Sequence, residues 1–155
     1  SVSSAALQVS ISAKKGRAVF HTVDNILLPP DGKPAAHLRA VLTLTNEGAR
    51  AESGAVIRFA LSARLRRIGT DGEGAWELPF LLEQRHVPLI KRGRGVELFL
   101  PVNRVAVVTY LKRLRMAGYW PDALRVAAVI EPRAGTDDLS GRSVEKTIAV
   151  DWRPR

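Results

Sequence analysis

Cysteine is absent and methionine occurs once in the 155 residues. Without thiols the chain can form no disulfide and no thiolate metal site. That absence selects no compartment, because exported and cytosolic proteins alike can lack cysteine. Histidine is nearly as scarce, with three residues, His21, His37 and His86. None stands in His-x-x-x-His or Glu-x-x-His spacing. A zinc site needs three or four converging ligands, so each histidine reads as a strand-end residue. Aromatics make up only 6% of the chain, too few for an extended base-stacking platform beside basic charge. No apolar stretch approaches the roughly 20 residues that span a bilayer, and no apolar signal core follows Ser1. A targeting segment or anchor cut away before Ser1 fits the same ends.

Catalytic patterns are missing too. No Gly-x-Ser-x-Gly elbow presents a nucleophile, and Ser53-Gly54 and Ser140-Gly141 read as turns. Gly93-Arg94-Gly95 lacks the Lys-Ser/Thr and helix start of a phosphate loop. Asp137 and Asp138 offer fewer oxygens than calcium takes. The chain reads as a non-enzyme with no cofactor and no metal.

What is present is alternation. Leu38, Ala40, Leu42 and Leu44 recur every second residue, as do Ile57, Phe59, Leu61, Ala63 and Leu65. Trp76, Leu78, Phe80 and Leu82 follow, then Val96, Leu98 and Leu100. Leu124, Val126, Ala128 and Ile130 come next, and Val144, Lys146, Ile148, Val150 and Trp152 close the series. A period of two places each set on one strand face, and strands at this spacing predict two packed sheets. The expected fold is mainly β, an immunoglobulin-like antiparallel β-sandwich of about seven to nine strands with one helix. A chain of this length folds as a single domain over 1–155.

Leu7, Val9 and Ile11 predict a first strand within 1–12. It is followed by a turn at Ala13-Lys14-Lys15-Gly16 and a short hairpin partner through Ala18, Phe20 and Thr22. Pro29, Pro30 and Pro34 make 25–34 an exposed connection rather than a central strand. The 54–68 stretch is long for a strand and predicts a bend or sheet switch. Ala75–Glu83 reads as one strand, placed at an edge or bulged by Pro79, and Arg85–Lys91 as another. The period then changes: Asn103 caps a helix over about 104–117. Val105, Val108, Leu111 and Leu114 lie on one face with Val107 alongside, and Gly118 stops it. Ala123–Glu131 is the most apolar strand and is expected at the centre. Ser143–Trp152 is the last.

Charge is the second positive feature. Lys and Arg number 24 against 15 Asp and Glu, a net +9, which favours anionic partners. Arg58, Arg64 and Arg66 share one strand face, while Lys91, Arg92 and Arg94 crowd one loop, so these six are the anion-binding candidates. Lys112, Arg113 and Arg115 sit where cations favour a helix C-terminus. Trp76, Phe59 and Phe80 read as core, leaving Phe99, Tyr110, Tyr119 and Trp120 as candidates for exposure. Tyr119, Trp120 and Pro121 are the partner-binding candidates. They either form a tip between helix and strand or plug the end of the core.

The run Leu42, Thr43, Leu44, Thr45, Asn46, Glu47, Gly48, followed by Ala55, Val56, Ile57, Arg58, Phe59, Ala60, Leu61, resembles the strand-turn-strand opening of immunoglobulin-like modules in bacterial envelope proteins. The chain departs from that pattern by a helix where a hairpin is usual, and by lacking the cysteine and tryptophan pattern of antibody domains. The resemblance implies a non-catalytic protein-binding or assembly role in an exported, envelope-located protein. The other readings left open are a nucleic-acid or anionic-polymer binder, and a pilus-like or coat-like subunit with a donor segment at 1–12.

Overall fold

The computed structural model describes residues 4–12, 21–27, 37–46, 56–87, 89–131 and 142–151. The strands are β1 (Ser4–Ser12), β2 (His21–Thr22), β3 (Asn25–Leu27), β4 (His37–Asn46), β5 (Val56–Arg67), β6 (Ala75–Trp76), β7 (Leu81–His86), β8 (Arg94–Pro101), β9 (Tyr119–Glu131) and β10 (Arg142–Asp151). One helix, α1 (Arg104–Met116), stands between β8 and β9.

A four-stranded sheet has the order β2-β1-β4-β8, and a six-stranded sheet the order β3-β10-β9-β5-β6, with β7 also paired to β5. All pairings among the described residues are antiparallel except β3 with β10. The mainly-β sandwich expected from the alternation is what forms. It has ten strands rather than seven to nine among the described residues, because β2, β3 and β6 are only two or three residues long.

The inward faces are those the period of two selects. Val9, Ala40, Leu42, Leu44 and Leu100 on one sheet are buried, facing Ile57, Phe59, Leu61, Ala63, Val126, Ala128, Ile130 and Ile148 on the other. Burying each larger apolar side chain stabilises the fold by about 1.5–3 kcal/mol. β9 is central, between β10 and β5, as its apolar run requires.

Several expectations need correction. Residues 25–27 are not connection but a short parallel edge strand on β10; their amide donors precede the prolines, so nothing prevents pairing. Ala75–Glu83 is not one strand. β6 ends at Trp76 and β7 begins at Leu81, with Leu78 and Pro79 lifted between them and exposed. Proline cannot donate to the ladder, and on both sides of the interruption the expected inward set faces out. Trp76 lies opposite outward Arg64 and exposed Leu82 opposite outward Ala60, while half-buried Leu81 turns inward opposite Leu61. Arg85 and His86 belong to β7; beyond them Val87 and Ile90 are buried without strand pairing of any length. Asn46 Nδ2 donates to the Ile90 carbonyl at 3.0 Å, tying this segment to the end of β4. The turn at Lys91–Gly93 is anchored at the same place, the Gly93 amide donating to the Asn46 carbonyl at 2.7 Å.

β5 bends without switching sheets. It pairs with β9 throughout, with one register shift between Arg64 and Leu65. Arg64 faces Ala123 and Leu65 faces Pro121, so Asp122 is the extra residue of a β-bulge, a device that re-aims one side chain.

α1 starts where Asn103 predicts, its side-chain oxygen accepting from the Ala106 amide at 3.2 Å. Asn103→Ala is expected to lower stability by about 1 kcal/mol in urea denaturation, because one helix amide loses its acceptor. The buried stripe is Val107, Leu111 and Leu114, an i, i+4, i+7 pattern. Val105, expected on that face, is instead exposed, and Val108 is half-buried at its margin. The helix leaves through Gly118, whose φ of 85° suits glycine. Tyr110 stacks on Phe80 with ring centroids 3.9 Å apart. Burial, helped by Glu77 and opposed by Arg113, raises the Tyr110 hydroxyl above its ordinary pKa. No helix is long and apolar enough to cross a membrane among the described residues.

Candidate functional site

The outward face of the six-stranded sheet carries an open groove. In the middle of that face Ala60 lies opposite both Leu82 on β7 and Ala127 on β9. Two alanines side by side lower the floor. Two residues further along, on the same face, Arg58 lies opposite Gln84 and Val129, and these longer side chains make the rims. The result is an open groove of about 520 Å³ lined by Arg58, Phe59, Ala60, Leu82, Glu83, Gln84, Ala127 and Val129. Leu82 is 73% exposed at its edge. Arg58 pairs with Glu131 at 3.3 Å in an exposed setting, which contributes at most about 1 kcal/mol and leaves the guanidinium free to exchange partners.

Towards the other end of the same strands the surface becomes rigid and polar. The bulge aims Asp122 at Arg64, Nε to Oδ1 2.6 Å, while its other oxygen accepts the Gly74 amide at 2.8 Å. Glu73 approaches the same guanidinium at 3.6 Å. Trp76 receives the Arg125 guanidinium 4.3 Å from its ring centre, with that of Arg64 at 5.7 Å. Each cation over an indole contributes about 0.5–1 kcal/mol at partly exposed sites. Trp76, expected in the core, is thus held on the outer face between two arginines, and Asp122 fixes the 69–74 turn beneath it. Phe59 and Phe80 are where they were expected, the first buried and the second packed against the core.

The structure divides the six anion-binding candidates rather than gathering them. Arg58 rims the groove, and Arg64 is committed to Asp122. Arg66 lies at the far end of β5, opposite Trp120. Lys91, Arg92 and Arg94 are exposed in the turn that opens β8, at the opposite end of the sandwich from Arg66. No continuous face contains all six.

The aromatic trio begins β9 instead of forming a loop tip. Trp120 is 2% exposed and joins the continuous core, and Pro121 is also buried; only Tyr119, at 41%, offers surface. The plug is therefore the role Trp120 takes. Tyr110 is half-buried, and Phe99 is exposed with the Arg39 guanidinium 4.3 Å from its ring centre. His86 is exposed at the end of β7, far from β1, where His21 pairs with Ile11 and His37 with Ser12. No group of three His, Asp or Glu side chains converges on a metal site among the described residues; Asp137 and Asp138 lie outside them.

Sequence reasoning missed the groove and the Arg64–Asp122–Trp76–Arg125 cluster. Ala60 and Ala127 do fall on the outward phase of their strands, a signal that was legible. Nothing local links Asp122 to Arg64 or Trp76 to Arg125.

No family model matches this chain, and no curated protein matches it in sequence. Among solved structures it is similar to a protein from Archaeoglobus fulgidus, at 11% identity and a TM-score of 0.40, covering 99% of this chain and 100% of that one. It is also similar to Spo0M, a sporulation control protein from Bacillus subtilis, at 14% identity and a TM-score of 0.41. There the match covers 96% of this chain and 50% of the other. A b-glucosidase from Erythrobacter marinus matches at 13% identity and a TM-score of 0.38, over 96% of this chain and 15% of the enzyme.

Proposed function

We propose that this chain is a non-enzymatic binding and assembly module of the bacterial cell envelope, taking a protein partner on the outer face of its six-stranded sheet. The observation that carries the reading is the open groove around Ala60 and Ala127. An apolar floor exposed between Leu82 and Val129, rimmed by Arg58 and Gln84, has the arrangement of an interaction patch: apolar at the centre, polar at the margin. The rigid Trp76 cluster beside it supplies a preorganised wall, which reduces the ordering cost of binding. The envelope location rests on the likeness of 42–61 to immunoglobulin-like envelope modules.

A photo-crosslinking residue at position 82 is expected to give one discrete protein adduct in the envelope fraction of bacterial cells expressing the chain. Ala127→Arg, which fills the groove from the adjacent strand, should remove that adduct. The same probe at Asp71, on an exposed turn, should give none. Adducts at 71 matching those at 82, or an adduct at 82 that survives Ala127→Arg, would overturn the reading.

The anionic-polymer alternative has its support in the exposed Lys91, Arg92 and Arg94 turn. It requires binding of oligonucleotides that weakens with salt, by about 40-fold between roughly 50 and 200 mM for three phosphate contacts. For the pilus-like alternative, the relevant finding is that Ser4–Ser12 pairs along its full length with β4 of the same chain.

A further inference from the structure

Five cations on the sheets, Arg58, Arg64, Arg85, Arg125 and Lys146, each have a carboxylate within 4.0 Å. The helix end of the sandwich is different. α1 contains no Asp or Glu, and Lys112, Arg113 and Arg115 crowd its last turns. The end of β5 is hydrogen-bonded to the helix exit, the Ile68 amide donating to the Gly118 carbonyl at 2.9 Å, and Arg67 lies opposite Tyr119. These contacts bring Arg67 beside the helix cations. Among the described residues none of Arg67, Lys112, Arg113 and Arg115 has a carboxylate partner.

The same end exposes apolar surface. Opposite the buried stripe of α1, the helical spacing aligns Val105, Thr109, Lys112 and Met116, with Val105 74% and Met116 89% exposed. Tyr119, 41% exposed, follows three residues after Met116 at the start of β9. The helix dipole explains cations on the last turn. It does not explain Arg67, which is on another element, or the two apolar side chains set in water on the outward face.

We propose that this end docks on an anionic lipid bilayer, with Arg67, Lys112 and Arg115 at headgroup phosphates and Met116 and Tyr119 in the headgroup boundary. The surface favours lipid over nucleic acid because the cations alternate with side chains that gain by leaving water. A phosphodiester backbone would satisfy the charges and leave Met116 solvated, whereas a bilayer surface accepts both, and tyrosine suits its interface. The surface is remote from the groove, so the proposal stands independently of the protein-binding reading.

The test is co-sedimentation of the full chain with vesicles of phosphatidylcholine containing about one-third phosphatidylglycerol, at about 0.1 M salt. Each Lys or Arg near an anionic surface contributes about 1 kcal/mol, a factor of about five. The variant R67Q/K112Q/R115Q is therefore expected to lower the partition coefficient about 100-fold. K91Q/R92Q/R94Q removes the same charge from the opposite end and is expected to bind like the parent; circular dichroism confirms that both variants fold. Met116→Ser should weaken binding further without a change in charge. Equal losses in the two triple variants would overturn the proposal by reducing it to net charge. So would parent protein that stays in the supernatant, or tighter binding to an oligonucleotide than to the vesicles.

Discussion

Replacing Trp120 by Ala is expected to destabilise the protein by about 4 kcal/mol, the cost typical of deleting a buried aromatic side chain. In a chain of this size that lowers the melting temperature by roughly 10–15 °C. The ring is 2% exposed and continuous with the core, at the point where α1 hands over to β9. Its removal leaves a cavity that the pairing of β9 with β5 prevents from collapsing. An exposed partner-binding tip would behave in the opposite way, with unfolding unchanged to within about 0.5 kcal/mol. Thermal and urea unfolding of W120A thus separates the two roles the sequence leaves open. Tyr119→Ala, one residue away and half-exposed, is the matching comparison and should cost far less.

The second large effect is expected at Gly74. A Cβ there would overlap the carbonyl of Leu65, with the Arg66 amide nitrogen 2.9 Å away. Both are backbone atoms of β5 and cannot rotate aside. Gly74→Ala must push the 69–74 turn off the sheet, breaking the Gly74 amide's bond to Asp122 and loosening the hold on Arg64. A loss of about 3 kcal/mol is expected, at the upper end for overpacking, because strain and a charge-assisted hydrogen bond are lost together. Asp122→Ala separates the two contributions: it removes the acceptor without the overlap, and should cost about 1–3 kcal/mol. If G74A unfolds at the parent's urea midpoint, the close approach of this turn to β5 is wrong.

Most strands were legible because alternation is a local property. Leu42 and Leu44, or Val126 and Ala128, show their inward face whatever their neighbours are. Where the reading failed, a non-local partner or an interruption decided the outcome. Pro79 marked an irregularity within Ala75–Glu83, but not that Trp76 and Leu82 would both face outward, opposite Arg64 and Ala60. Val105 fits the three-residue steps of α1, yet the core meets the helix along Val107, Leu111 and Leu114, and Val105 falls on the far side. Asn46 is buried, and holds the Ile90 carbonyl of a segment 44 residues further along the chain.

The candidate site was less legible than the fold for the same reason. Arg58 was singled out for its charge, and its alternation correctly placed it outward. The groove beside it exists only because Ala60, Leu82 and Ala127 come into register from three strands. Arg64 and Asp122 are 58 residues apart, and only the β-bulge turns one towards the other. The sequence by itself determined the class of fold, the inward faces of the strands, the capped helix and the excess of positive charge. These follow from backbone periodicity and composition, which need no knowledge of partners. Tertiary structure alone decided which cations are neutralised and which remain unpaired, that Trp120 is core and Trp76 is not, and where an apolar floor is left uncovered. Those outcomes depend on strand order and register, which are set by packing between residues far apart in the chain.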